Sequence, residues 1–235
     1  MAKRELVVVP NKTYEKYYQE FSNEVHKAIG SFLFWKMLQN RVASEPKLLD
    51  GLNNTPLSWI MIRHALQVTL FMTLGRIFDI DDEAFSADDL LKTCINDIDI
   101  FSSSNLRIRK MEDQQKEPEW LDEYIDAAYV PDINDFQRLR GELSKHRKIF
   151  EQVYRPIRHK LIAHTDKKFI GKADDLWKET NIVEIEELMK FLHDLQCTLF
   201  EQYQNGTKPT LQGRNIDCDF YESDYAQLLD LVKSA

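Results

Sequence analysis

Glycine and proline are scarce in this chain, seven of each in 235 residues. An all-β sandwich or barrel needs a turn signal roughly every 8–12 residues, so the scarcity excludes that class and favours long helices. Cysteine is scarcer still. Cys94, Cys197 and Cys218 are far apart, odd in number and never spaced Cys-x-x-Cys. Neither a disulfide framework nor a thiolate zinc site is expected, and the three read as buried or half-buried free thiols in a reducing compartment. No stretch reaches the roughly 18 consecutive apolar residues of a membrane span, and the run Leu6–Val9 is too short for the apolar part of a signal peptide. The expectation is a soluble, cytoplasmic protein with no membrane contact. Also missing are a Gly-rich phosphate loop, a G-x-S-x-G elbow and an H-E-x-x-H zinc motif. The acidic run Asp79, Asp81, Asp82, Glu83 lacks the alternating ligands and the glycine of a calcium loop and reads as solvated helix caps. No metal and no cofactor is expected. There is no internal repeat and no low-complexity tract.

What is present is ordinary globular composition, 43% hydrophobic and 30% charged. Thr13 can cap a helix over 13–42, whose Phe21, Val25, Ile29, Phe32 and Leu33 follow helical spacing. Gly30 weakens that helix by about 1 kcal/mol relative to Ala. Residues 47–56, with Gly51, Asn53, Asn54 and Pro56, read as a loop. Residues 57–78 are apolar on most sides and predict the central, most buried helix. A short helix starts at Ser86 or Asp88, and 97–118 cannot be assigned. A short element covers 119–129. A long helix runs from about Asp132 to Ile162, kinked or interrupted by Pro156. A loop over 165–180, a helix over 182–204, a polar loop over 205–219 and a last helix over 220–233 follow. The fold class is all-α, a bundle of four to five main helices with extra short ones. It forms one domain over 1–235, with a core of about 13–204 and a C-terminal appendage of about 205–235.

The formal net charge is −8, which argues against a general nucleic-acid coat, since phosphate affinity comes from Lys and Arg. The cations are unevenly placed, however. Arg138, Arg140, Lys145, Arg147, Lys148, Arg155, Arg158, Lys160, Lys167, Lys168 and Lys172 crowd into 138–172. Within that stretch Arg155, Arg158, His159, Lys160 and His164 form the one candidate chemical site. RNA phosphodiester cleavage would use such a set: an imidazole takes the 2′-hydroxyl proton, an acid protonates the leaving 5′-oxygen, and a guanidinium forks onto the phosphate. The plain alternative is that cations near a helix C-terminus complement its dipole and bond its last carbonyls. Elsewhere, Arg76 and Asp79 are expected to pair, His64 to be a core histidine bonded to a neighbour, and His26, His146 and His193 to be structural. Tyr14, Tyr17, Tyr18 and Trp35 are expected to pack into the core or a dimer interface rather than to stack on bases.

The segment Arg158-His159-Lys160-Leu161-Ile162-Ala163-His164 resembles the motif of the HEPN superfamily (higher eukaryotes and prokaryotes nucleotide-binding), an arginine and a histidine separated by four to six residues, here five. A polar residue after the arginine is usual in that motif, and His159 fits. The stretch Trp59–Asp79, ending Leu74-Gly75-Arg76-Ile77-Phe78-Asp79, resembles the second helix of the abortive-infection, AbiU-like branch. The resemblance implies a metal-independent endoribonuclease, a toxin or anti-phage effector whose composite site is built by a homodimer. It assigns proton transfer to His164, phosphate stabilisation to Arg158, and orientation or a second proton role to His159, with Arg155 and Lys160 as phosphate contacts. The partners it implies are RNA, a second copy of the chain and a cognate inhibitor or regulatory protein. Six steps on an ideal helix leave Arg158 and His164 about 120° apart, so a distorted helix end or two subunits would be needed to serve one phosphate. Some family members carry a modifiable tyrosine two residues after the histidine; here Asp166 stands there, which excludes that control. The alternative is a non-catalytic HEPN-like module that binds nucleotide, nucleic acid or a protein partner and tolerates alanine at Arg158 and His164. A third reading is a neutralising partner of another protein, which predicts a tight hetero-complex and no toxicity.

Overall fold

In the computed structural model the residues described are 12–80, 84–112, 114, 116–159 and 180–234. Helix α1 (Lys12–Ser44) extends the expected span at both ends. Its stripe of Tyr14, Phe21, Val25, Ala28, Ile29 and Phe32 recurs at three- and four-residue steps and is buried throughout. Tyr14 belongs to the core as expected, its ring 4.5 Å from that of Tyr203 and 5.4 Å from that of Phe101.

Residues 46–53 correct the loop expectation: they form helix α2 (Pro46–Asn53). Pro46 occupies the first turn, where its missing N–H is no loss. Leu48 and Leu52, one turn apart, bury against Leu38 and Leu229 in a small second core. Gly51 is not there for a turn. A Cβ on it would come within 3.1 Å of the carbonyl carbon of Val232 and closer still to its oxygen.

Helix α3 (Pro56–Phe78) has the expected bounds but not the expected burial. Only Leu70, Phe71, Thr73, Leu74, Gly75, Ile77 and Phe78 are buried, while Leu57 is 78% exposed and Ile60 and Met61 are more than half exposed. His64 is exposed too, not a core histidine. Its first turns lie against the second core through Trp59 and leave Leu57 and Met61 outside it, so apolar content alone could not say which residues find neighbours. By length and mean hydropathy, 23 residues and 1.2, α3 meets the test for a membrane-crossing helix. Arg63, His64 and Arg76 interrupt it, so it contains no unbroken apolar run of that length.

Helix α4 (Ala87–Asn96) starts in a reciprocal cap between Ser86 and Asp89. The stretch left unassigned contains a 3₁₀ turn (Ile98–Phe101) and helix α5 (Ser103–Met111), capped by Ser102. Helix α6 (Leu121–Ala127) packs on α5 through Leu106, Leu121 and Ile125. Helix α7 (Ile133–Ile149) opens on a capping box between Asp132 and Asp135. Helix α8 (Ile182–Asn205) starts at Asn181, whose side chain accepts from the Val183 N–H, and ends at Gly206, whose φ of 63° is the left-handed conformation that closes helices. Helix α9 (Asp219–Ser234) lies over α1 and α2, with the Tyr225 hydroxyl bonded to the Gly30 carbonyl at 3.2 Å. Gly30 therefore offsets its cost in helix propensity by admitting Tyr221 and Tyr225.

The fold is all-α, without a strand among the described residues, and one principal core joins α1, α3, α4, α7 and α8. Cys94 is buried and Cys197 and Cys218 are half-buried, all three free. His146 is structural, stacked 3.7 Å from the Phe191 ring.

Candidate functional site

The site arises where α7 stops being an α-helix. After Ile149 the backbone widens into a π turn (Phe150–Tyr154), narrows to one α turn (Arg155–Ile157), and is again π-like at 158–159. Pro156 is the cause. It has no N–H to give the carbonyl four residues back, and the chain responds with a bond one residue longer, from the Arg155 N–H to the Phe150 carbonyl. The expected kink at Pro156 is thus absorbed as a change of helical pitch just ahead of the basic residues.

Three apolar anchors fix this turn in the core: Phe150, Tyr154 and Ile157 are buried. Phe150 stacks on Phe78 with ring centroids 5.5 Å apart, and Tyr154 on Phe71 at 6.0 Å. The Tyr154 hydroxyl lies 3.1 Å from both the Asn181 carbonyl and Glu184 Oε2, which ties the turn to the start of α8. Burial, more than its hydrogen-bond partners, pushes the Tyr154 phenol well above its ordinary range.

With Ile157 pinned inward, Arg158 is laid across the last turn of α3. A Cβ on Gly75 would fall 2.6 Å from Arg158 Cδ, 2.7 Å from Cζ and closer still to Nε. Only glycine allows the guanidinium stem to lie on the helix there. Arg158 Nε is buried without a hydrogen-bond partner, Nη1 lies 3.9 Å from Asp79 Oδ2, and the side chain keeps 19% of its exposure. Arg155, exposed, lines the same cleft, whose other walls include Gly75, Phe78, Asp79 and Glu151. His159 is exposed beside it and is engaged in a contact of its own. Lys160 and His164 lie outside the described residues, as do residues 165–179 of the loop expected over 165–180.

Arg155 and Arg158 are therefore brought together, and His159 adjoins them. The pairing expected of Arg76 is corrected. Arg76 holds Glu24 through Nε at 2.8 Å and Nη2 at 2.6 Å, while Asp79 faces Arg158 among the described residues. The wider basic stretch also shrinks. Arg140 forks onto Asp88 with two bonds of 2.9 Å, Arg147 lies 3.6 Å from the same acid, Lys145 bonds Glu142 at 2.7 Å, and Arg138 bonds Asp135. Burial, the largest single influence, would raise the Asp88 carboxyl; the hydrogen bonds and charge of Arg140, with Lys92 and Arg147, together overcome it and hold the carboxyl below its ordinary range. Arg140 and Arg147 are thus committed to Asp88, while Arg138 and Lys145 are paired at the surface and Lys148 and Arg155 are exposed as well.

The parts played by Gly75 and Asp79 were missed from sequence, although both stand in the stretch Leu74–Asp79 quoted for its resemblance. A glycine inside the last turn of a strongly apolar helix was the available signal. Chemically, the cleft offers a fixed, permanently charged fork beside a second arginine, a setting suited to phosphate. No group of three metal-ligating side chains occurs among the described residues.

The family model for the HEPN type of AbiU2 matches residues 12–215, which takes in Gly75, Asp79 and the whole Arg158–His164 segment but stops short of α9. No curated protein and no solved structure matches the chain.

Proposed function

Because the chain belongs to the AbiU2 family of HEPN proteins, modules of the abortive-infection type, we propose that it is a metal-independent endoribonuclease, a toxin or anti-phage effector that works as a homodimer in the cytoplasm. The observation that carries this reading is the Arg158 guanidinium, laid on Gly75 beside Arg155 at the mouth of one cleft. Arginine keeps its charge at any working pH and presents parallel N–H donors to two phosphate oxygens.

In the proposed reaction His164 takes the 2′-hydroxyl proton. The 2′-oxygen attacks the adjacent phosphorus, Arg158 stabilises the charge that builds on the equatorial oxygens, and the 5′-oxygen leaves with a proton from a second imidazole. The products are a 2′,3′-cyclic phosphate and a 5′-hydroxyl. His159, or His164 from a second copy of the chain, supplies that second imidazole, and Arg155 and Lys160 hold the flanking phosphates. Two facing copies remove the need for one helix to aim residues about 120° apart at one phosphorus.

The test is RNA cleavage by the purified protein in EDTA, with end-group analysis. Wild type should leave cyclic ends, and His164→Ala and Arg158→Ala should each lose about 100-fold or more in rate. Metal-dependent cleavage that His164→Ala leaves intact would place the chemistry elsewhere. A folded dimer that cleaves no RNA and does not arrest growth on expression would make the chain a binding module.

A further inference from the structure

Taking Arg158 as the phosphate-binding group of that reading, we infer that Asp79 is its positioning residue, holding the guanidinium in place before RNA arrives.

Asp79 is the C-cap of α3, at φ −61° and ψ 151°, where the chain leaves the helix. A helix C-terminus carries partial negative charge from its unpaired carbonyls, so an acid there has the wrong sign for local stability. Such a local conflict calls for a cation to resolve it, and among the described residues Arg158 is a cation that meets this acid. The two carboxylate oxygens divide their work. Oδ1 accepts the Ile80 N–H at 2.9 Å and fixes the carboxylate to the backbone, while Oδ2 faces Arg158 Nη1 at 3.9 Å.

The separation matters. At 3.9 Å the pair is held by charge, without the two short bonds that Arg140 makes to Asp88. Arg158 Nε is spent in the interior without a partner. Asp79 thus steers the fork by one corner and leaves Nη2 to bind phosphate. An arginine side chain has several rotatable bonds, and ordering them during folding rather than during catalysis removes that entropy cost from the reaction. Gly75 provides the floor and Asp79 the stop.

Asp79→Asn tests this, because the amide oxygen can still accept the Ile80 N–H and the size is unchanged. The expected result is a fall in kcat of about tenfold or more, as for a reacting group displaced by a fraction of an ångström, with KM and melting temperature little moved. Asp79→Glu, one methylene longer, should recover part of the rate across the 3.9 Å gap. A readout independent of cleavage is the Arg158 Nε–H resonance, identified by its loss in Arg158→Lys. It should exchange slowly with water in wild type and faster in Asp79→Asn. If Arg158→Ala is inactive while Asp79→Asn keeps full kcat and an unchanged Nε–H signal, this inference falls and the ribonuclease reading stands. If wild type cleaves no RNA, the exchange rates alone decide, and an Nε–H that exchanges freely in wild type overturns the inference.

Discussion

Replacing Gly75 with alanine adds one methyl group and removes nothing, and its effects on stability and on catalysis should part company. Within a helix, Ala is favoured over Gly by about 0.8–1.0 kcal/mol. Against that gain, the new Cβ would stand 2.6 Å from Arg158 Cδ and 2.7 Å from Cζ, about an ångström inside ordinary carbon contact. The helix backbone is fixed in the core by Leu74 and Phe78, so the arginine must yield, and its 19% exposed side chain has an open side toward which to move. Residual overpacking costs about 1–3 kcal/mol, so the two terms offset to within about 2 kcal/mol and the melting temperature should shift by no more than roughly 4–8 °C. Catalysis has no offsetting term. A guanidinium displaced by about 1 Å loses on the order of 100-fold in rate. The assay is single-turnover RNA cleavage together with a melting curve on the same preparation. A folded Gly75→Ala protein with wild-type cleavage would refute the claim that Arg158 works from its bed on α3.

Tyr154→Phe should cost about 1–2 kcal/mol in urea denaturation, because it leaves the Asn181 carbonyl and Glu184 without the hydroxyl that ties the π turn to α8. Arg140→Ala removes the two short bonds to Asp88, whose side chain is only 11% exposed, and leaves it Lys92 at 3.2 Å and Arg147 at 3.6 Å; it should cost about 1–3 kcal/mol with no change in RNA affinity, and an affinity loss equal to that of Arg155→Ala would show a phosphate contact instead. At low pH the anchor of α9 should loosen. Hydrogen bonds from Arg41, then from Lys233, hold the Glu45 carboxyl down from its ordinary 4.5 to about 2. A folded value below the unfolded one means that this contribution is complete above pH 4.5 and is lost as the pH falls toward 2. Amide chemical shifts of α9 should report that step, and Glu45→Gln should abolish it.

The helices that periodicity can show were legible in the sequence. The buried stripe of α1 and the Asn181 start of α8 were read within a residue or two because each is written locally. The apolar face of α2 was hidden by Pro46, Gly51 and Asn53, residues that mark a turn when they are exposed and an accommodated contact when Val232 lies against them. For α3 the bounds were right and the burial was not, because hydrophobicity measures a preference for neighbours and not their presence. At the site, Arg155, Arg158 and His159 stood out by type and spacing. Gly75 and Asp79 could not be joined to Arg158 from sequence, since roughly eighty residues separate them and nothing local reports a contact across that span. The pairing of Arg140 and Arg147 was hidden for the same reason, their partner Asp88 lying more than fifty residues earlier.

The contact of α9 with the end of α1 has a consequence for how this protein is made. Arg41 and Asp230, 2.5 Å apart in the fold, are separated by 189 positions. At translation speeds of about 5–20 residues per second, that distance takes on the order of 10–40 s to synthesise. Until then Leu38, Leu48 and Leu52 have no Leu229 to cover them, and Gly51 and Gly30 present bare backbone where Val232, Tyr221 and Tyr225 will sit. The nascent chain therefore carries an open apolar seam from its early helices through almost its whole synthesis, a window in which chaperones compete with aggregation and in which the residues of the proposed site leave the ribosome before the seam is closed.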